Sequence, residues 1–308
     1  MNDQVQNIRM PNAETGRLMR WATYASVSIA TTLIVIKFGA WLLTDSVSLL
    51  STLIDSLLDI AASLVSLVAV RHALTPPYRE HRFGHGKAEP LAALAQSTFI
   101  TGSAIFLLIQ AGQRLIYPRP IAYGDVGIAV MVVAIVLTFA LTRFQAYVVR
   151  KTGSLAVEAD SLHYLGDLLV NVAVIVAIVL TSKLGWTIAD PLFALAIAGY
   201  IIWTAWRIAH GAYDMLMDRE LPNEDRQKIR DTVMAHPEVL AMHDLRTRAS
   251  GPLTFIQLHI EMKGSMSLYR AHIAADEVEA SVCAAFPGAE VIIHQDPYGV
   301  EEAPARTG

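Results

Sequence analysis

The stretch VSLLSTLIDSLLDIAASLVSLVAV, residues 47–70, decides the architecture. It is long and apolar enough to span a bilayer core, which takes ~20 largely apolar residues. Yet Asp55 and Asp59 stand at its centre, four residues apart. An ionisable group at that depth costs ~2.5–3.5 kcal/mol on insertion scales, so it is a functional candidate by default. Residues i and i+4 share one helix face. Two carboxylates there repel unless a cation sits with them or one keeps its proton. A second apolar stretch, Leu155–Thr181, repeats the spacing with His163 and Asp167. Two such helices, facing each other, assemble three carboxylates and one imidazole. That oxygen and nitrogen set suits a divalent transition metal, and zinc if tetrahedral. Read singly, an Asp or His in a span is as readily a helix–helix hydrogen bond; two matching pairs weigh toward a cation site.

Other polar residues extend these faces. Ser51 lies one turn before Asp55, and Asn171 one turn after Asp167, as packing or supporting groups. Lys37 is the alternative counter-ion, but one Lys cannot balance three Asp, and it can instead line or brace the path. Asp160, nearer the start of its span, could attract cations at the entrance, but reads rather as a solvated residue at the membrane surface.

Working outward, six segments qualify as spans: Leu18–Leu43, Val47–Val70, Pro90–Ile116, Val126–Val148, Leu155–Thr181 and Ile188–Ala212. Small residues such as Ser26, Ser28, Thr31 and Thr32 inside them allow close helix approach. The chain of 308 residues is 54% hydrophobic and 17% charged, with mean hydropathy +0.41; an ordinary soluble domain carries about 25% charge. Disorder and a typical soluble enzyme are excluded. Charge is unevenly spread: 22 of the 52 charged residues fall between Tyr213 and Asp296, and four between Trp21 and Val70. The net charge of -4 argues against a polyanionic partner, so no nucleic acid is expected. The single cysteine, Cys283, allows no intrachain disulfide and fits a reducing compartment. Met1–Arg20 has no apolar core before a cleavage site and reads as lacking a signal peptide.

Lys and Arg fix the expected orientation. One side collects Arg9, Arg17, Arg20, Arg71, Arg79, Arg82, Lys87, Arg143, Arg150 and Lys151; the other has Arg114, Arg119 and Lys183. Ten against three places both termini in the cytoplasm, in a multi-pass membrane protein. The fold class is a six-span α-helical transmembrane bundle followed by a cytoplasmic α+β domain. The expected boundaries are a tail over 1–17, the bundle over 18–212, a metal-binding domain over 213–297 and a tail over 298–308.

In that domain Pro222-Asn-Glu-Asp opens a helix to about Ala235. Val239–Arg248 and Leu253–Met262 alternate as strands around a Ser250-Gly-Pro turn. Ser267 caps a helix to about Phe286, and Val291–Asp296 is the last strand. The order α-β-β-α-β makes a small open sheet with helices on one face. His243, His259 and His294 lie on the three strands, His272 on the second helix. Asp296 shares a strand face with His294. A lone strand His is usually a satisfied, partly buried residue; four His and one Asp from four elements favour a metal site. The loop between the second and third spans holds His81 and His85 around Gly84. By spacing alone it is as readily a solvated loop as a metal site.

Taken together, Asp55-x-x-x-Asp59, His163-x-x-x-Asp167, the run His81-Arg-Phe-Gly-His85-Gly-Lys87, the strand His243-Asp-Leu-Arg-Thr-Arg248 and the end His294-Gln-Asp-Pro297 resemble the cation diffusion facilitator family. They most resemble its bacterial zinc- and ferrous-iron-exporting branch, from about residue 12 to 299. The resemblance implies a homodimer, formed through the cytoplasmic domain and the membrane helices in a lipid bilayer. It implies a ferredoxin-like cytoplasmic domain and export of divalent metal driven by proton entry. Asp55, Asp59, His163 and Asp167 match the transport site. His243, His259, His272, His294, Gln295 and Asp296 match a two-metal cytoplasmic site at the dimer interface. Lys87 and Asp218 match a charge pair that braces the dimer. Zn2+ is implied both as cargo and as a structural or regulatory ion, with protons as coupling ion. One departure stands out: the family's loop site has an Asp three residues before the first His, where this chain has Tyr78. A phenol with pKa near ~10 is a poor ligand, so His81 and His85 form a weakened site or a structural loop.

The implied cycle is alternating access, in which metal and protons compete for one set of ligands; an imidazole, with pKa ~6.5, suits such a switch. Zn2+ leads, with Cd2+, Fe2+, Mn2+ or Co2+ as alternative substrates. Three other classes compete. A passive divalent cation channel needs weak sites and fast exit, unlike a compact four-ligand site. A membrane-anchored metallohydrolase needs a placed base, and no nucleophile or phosphate loop is evident. A pure metal sensor makes six spans superfluous.

Overall fold

The computed structural model describes residues 13–44, 47–117, 125–186 and 188–300. Arg9 and Arg119, the side chain of Ser51 and most of both expected tails lie outside the described residues. The chain forms two compact units, Glu14–Leu216 and a second containing Met217 onward.

Among the described residues the first unit holds six helices: α1 (Ala13–Thr44), α2 (Val47–Ala73), α3 (Ala88–Ile116), α4 (Asp125–Thr152), α5 (Leu155–Leu184) and α6 (Ala189–Leu216). All six are long and apolar enough to cross a membrane, and α6 runs one turn past the expected Ala212. Large apolar side chains face outward, among them Phe99, Phe106, Trp203 and Trp206. In water such a surface is unfavourable; in lipid it is the matched surface. The inside is built from small residues: Ala93, Ala104, Ala159, Ala198, Ala205 and Ala212 form one core. Gly166 on α5 shows why. A Cβ there would lie 3.1 Å from Ile201 Cδ1 of α6, so glycine permits the close approach of the two helices.

The break between α4 and α5 is local chemistry. Gly153 adopts φ +65°, the left-handed conformation that glycine takes without strain. Ser154 then caps α5, its hydroxyl accepting from Val157 N at 3.3 Å. Glu89, buried near Ser154, Leu155 and Ala156, puts a carboxyl at this helix N-terminus, where the macrodipole favours it.

The second unit contains α7 (Asn223–Met234), β1 (Ala241–Ser250), β2 (Leu253–Met262), α8 (Leu268–Ala285) and β3 (Ala289–Pro297). The order α-β-β-α-β is the one expected, and Ser267 does cap α8, accepting from Arg270 N. The sheet runs β1-β2-β3, with β1 antiparallel and β3 parallel to β2. Ile256, Leu258 and Ile260 of β2 pack on Val278 and Val282 of α8 and on Ile229 and Val233 of α7. The alternate residues Gln257, His259 and Glu261 therefore occupy the face without helices.

Period two fails once. The β1–β2 register shifts between His243 and Arg246, and Asp244 takes φ +44°. This bulge keeps Met242 and Leu245 on the core side, which unbroken alternation could not do.

Leu258→Ala opens a cavity between sheet and helices and lowers the domain's stability by about 2–5 kcal/mol. Urea melts read this as a lower midpoint. Gln257→Ala, on the other face, stays within ~0.5 kcal/mol.

Candidate metal-binding sites

In the bundle, α2 and α5 present their polar faces to one another. His163 Nε2 lies 2.9 Å from Asp59 Oδ1 and 3.9 Å from Asp167 Oδ2. One ligand atom from each of the three lies within 4.8 Å of the others, close enough to converge on one cation. Asp55, one turn from Asp59, is exposed and outside this trio. Asn171 is half-buried one turn beyond Asp167. Lys37 ties α1 to α2: its ammonium donates to Thr52 O at 3.1 Å and to Ser56 Oγ at 2.6 Å. These bonds brace α1 against α2.

Asp160 overturns the surface reading given above. It is fully buried. Its Oδ2 accepts from Ser26 Oγ of α1 at 2.5 Å and from Gln145 Nε2 of α4 at 2.7 Å. Its Oδ1 accepts from Ser63 Oγ of α2 at 3.3 Å, and Ser63 in turn bonds Tyr164 OH at 2.7 Å. One carboxyl thus joins four helices beside His163. Its closeness to the start of α5 misled, because donors arriving from three other helices leave no signature in the local sequence.

On the second unit, register places His243, His259 and His294 in one row across β1, β2 and β3. Ring centres are 5.0 Å apart for His243–His259 and 4.6 Å for His259–His294. Asp296 lies beside the row. Its carboxylate is 2.9 Å from His259 Nδ1, 3.7 Å from His243 Nε2 and 3.2 Å from His294 Nε2. His243, His259 and Asp296 form a three-ligand group. Imidazole and carboxylate together fit zinc.

Two residues of the expected set do not join it within one chain. Gln295 alternates onto the core side with Val291 and Ile293. His272 is exposed on α8 and faces Asp276 at 3.5 Å. Two unforeseen residues do join. Glu261 Oε1 lies 3.1 Å from His243 Nδ1, and its i, i+2 spacing from His259 could have signalled it. Asp244, turned by the bulge, comes within 3.9 Å of His259 Nε2. A hydrogen bond from Arg246 holds its carboxyl below the usual range.

In the loop after α2, His81 and His85 are adjacent, with ring centres 4.5 Å apart. Tyr78 stacks on His85 and meets His81 edge-on. His72, near the end of α2, also reaches His85, ring centres 4.8 Å apart. Burial first, then His81 and His72, pull the His85 pKa below its ordinary value. Lys87 donates to Leu216 O at 3.3 Å, and Asp218 faces Arg248 at 3.4 Å.

Family models match in two blocks. One, described as the cation efflux transmembrane domain, spans residues 23–217; the other, the cytoplasmic domain of cation efflux proteins, spans 221–298. The cation-efflux pump FieF of Klebsiella pneumoniae is 51% identical over 292 residues, covering 95% of this chain and 97% of that protein. FieF of Salmonella choleraesuis is 51% identical over 289 residues, covering 94% and 96%. Among solved structures, the Zn form of CzrB is 34% identical, covering 28% of this chain and 99% of that one, with TM-score 0.26.

Thermal stability in detergent reads the buried network directly. Asp160→Ala strands donors on three helices, each costing about 1–3 kcal/mol. Its melting midpoint falls by several degrees, while Asp231→Ala, on the exposed face of α7, leaves it unchanged.

Proposed function

Because the chain belongs to the cation efflux family, and is a multi-pass membrane transporter and not an enzyme, we propose that it exports divalent metal in exchange for protons. Zinc is the main cargo, with cadmium and ferrous iron also accepted. The observation that supports this most is the convergence of Asp59, His163 and Asp167 from α2 and α5. Asp55, one turn away, completes a four-ligand set when metal enters.

The coupling follows from ligand chemistry. A metal ligand must be deprotonated, so cation and proton exclude each other from this trio. The Asp59–His163 contact of 2.9 Å is one that a shared proton stabilises and a bound cation replaces. The site loads from the cytoplasm, releasing protons. It then opens to the opposite side, where protons displace the cargo. Leaving four ligands for water is slow for a fixed pore and natural for a site that changes its access.

The loops rich in Lys and Arg face the cytoplasm, in the inner membrane, with both termini there. The second unit dimerises and carries resident zinc on the histidine row. His243, His259, His294 and Asp296 hold it, Glu261 and Asp244 supporting. His272 and Gln295 serve a further ion at the interface between protomers. A loaded row neutralises the carboxylates that crowd the open face, and so favours the close dimer. Lys87 and Asp218 brace that dimer near the membrane surface.

In proteoliposomes an imposed proton gradient accelerates zinc uptake, and Asp59→Ala abolishes the flux; full flux in that variant removes the site assignment. His243→Ala with His294→Ala leaves the membrane site intact but lowers the transport rate at limiting zinc. Unchanged kinetics in the double variant refute regulation by the row.

A further inference from the structure

A cavity of about 530 Å³ opens between α1 and the end of α2. Arg20 and Tyr24 line it from α1, and Val68, Arg71 and His72 from α2. Two guanidiniums and an imidazole thus face one space, and no carboxylate is among its lining residues. Arg71 and His72 stand in the last turn of α2, where a spanning helix leaves the hydrocarbon.

The two guanidiniums are not consumed by the protein. Arg20 Nε donates to Gly16 O, one turn back, at 3.2 Å, which steadies the side chain and leaves its terminal nitrogens. Among the described residues, no acidic side chain pairs with Arg20 or Arg71. An Arg in the last turn of a helix commonly serves the free carbonyls there. Here those carbonyls are already taken: Leu74 N bonds Val70 O at 3.1 Å, Thr75 Oγ1 bonds Arg71 O at 3.1 Å, and Thr75 N bonds His72 O at 3.0 Å. Arg71 is left facing the cavity.

The same cavity has an apolar side. Tyr24 and Val68 are exposed, and Leu64 and Val65, also exposed, lie one turn deeper on the face of α2 that carries Val68. A soluble anion needs only the charge; a lipid needs the charge and the apolar track beside it. A Tyr at this level is the usual residue where hydrocarbon meets headgroups.

We propose that this cavity binds an anionic phospholipid, its phosphate on Arg20 and Arg71 and an acyl chain along Tyr24, Val68 and Leu64. Guanidinium donors match phosphate oxygens in pairs, and basic pockets between spanning helices are suited to such headgroups. The site concerns the membrane around the chain and not its cargo, so it stands apart from metal exchange.

Native mass spectrometry of the full-length protein in detergent tests this, with dioleoyl phosphatidylglycerol, dioleoyl phosphatidylcholine and glycerol 1-phosphate as separate probes. Phosphatidylglycerol should stay bound at concentrations where phosphatidylcholine does not. Arg20→Gln with Arg71→Gln should weaken its apparent Kd by about tenfold or more. Arg143→Gln with Arg150→Gln, an equal loss of exposed charge on α4, should change it by less than about threefold. Equal weakening in both double variants means diffuse surface charge alone and overturns the proposal. So does phosphatidylcholine held as tightly as phosphatidylglycerol. Glycerol 1-phosphate bound at the same concentrations as the lipid assigns the cavity to a soluble anion and overturns it too. If the Arg20 and Arg71 variant does not fold, phosphatidylglycerol with a photoreactive headgroup decides the matter on the unchanged chain. Its cross-links should fall within residues 20–24 and 68–75, and cross-links only elsewhere overturn the proposal.

Discussion

The contact between Asp59 and His163 is the constraint from which the bundle follows. Each group is costly in an apolar interior, and each has a charged form that wants a partner. Joining them at 2.9 Å fixes α2 against α5. Asp167, one turn along α5, then faces the same space. On the other side of α5, Gly166 and the alanines of one core let α3, α5 and α6 pack closely.

Next to the trio lies a polar group of a different kind. Asp160 is fully buried and accepts from hydroxyl and amide donors on three other helices. Asp167 keeps a partly exposed carboxylate. The same residue type, seven positions apart on one helix, is a joint in one place and a ligand candidate in the other. Burial and partner count separate the two, not residue type.

Much of this was legible in the sequence. Six apolar stretches gave six helices because length and hydropathy suffice for a span. The α-β-β-α-β order came from alternation and from Ser267, a cap whose hydrogen bond is present. Paired four-residue spacings marked Asp59, His163 and Asp167 because helix periodicity puts such pairs on one face. What escaped depended on other elements. The donors to Asp160 come from α1, α2 and α4. The bulge at Asp244 breaks the period that strand reading relies on. Gln295 lies on the strand face opposite His294, as strict alternation requires.

The two units gather the same residue types in two environments. On the open sheet, register alone lines up His243, His259 and His294, and Asp296 lies against all three. In the bundle, two helix faces do the same with more carboxylate and less imidazole. On the proposed exchange, metal and protons compete for Asp59, His163 and Asp167. The most direct measurement is proton release on zinc addition, followed with a pH dye in weak buffer. It uses purified protein whose sheet row has been removed by His243→Ala and His294→Ala. Protons should be released in proportion to zinc bound, and this release should disappear with Asp59→Ala. Zinc bound at the same affinity with no proton released would contradict it.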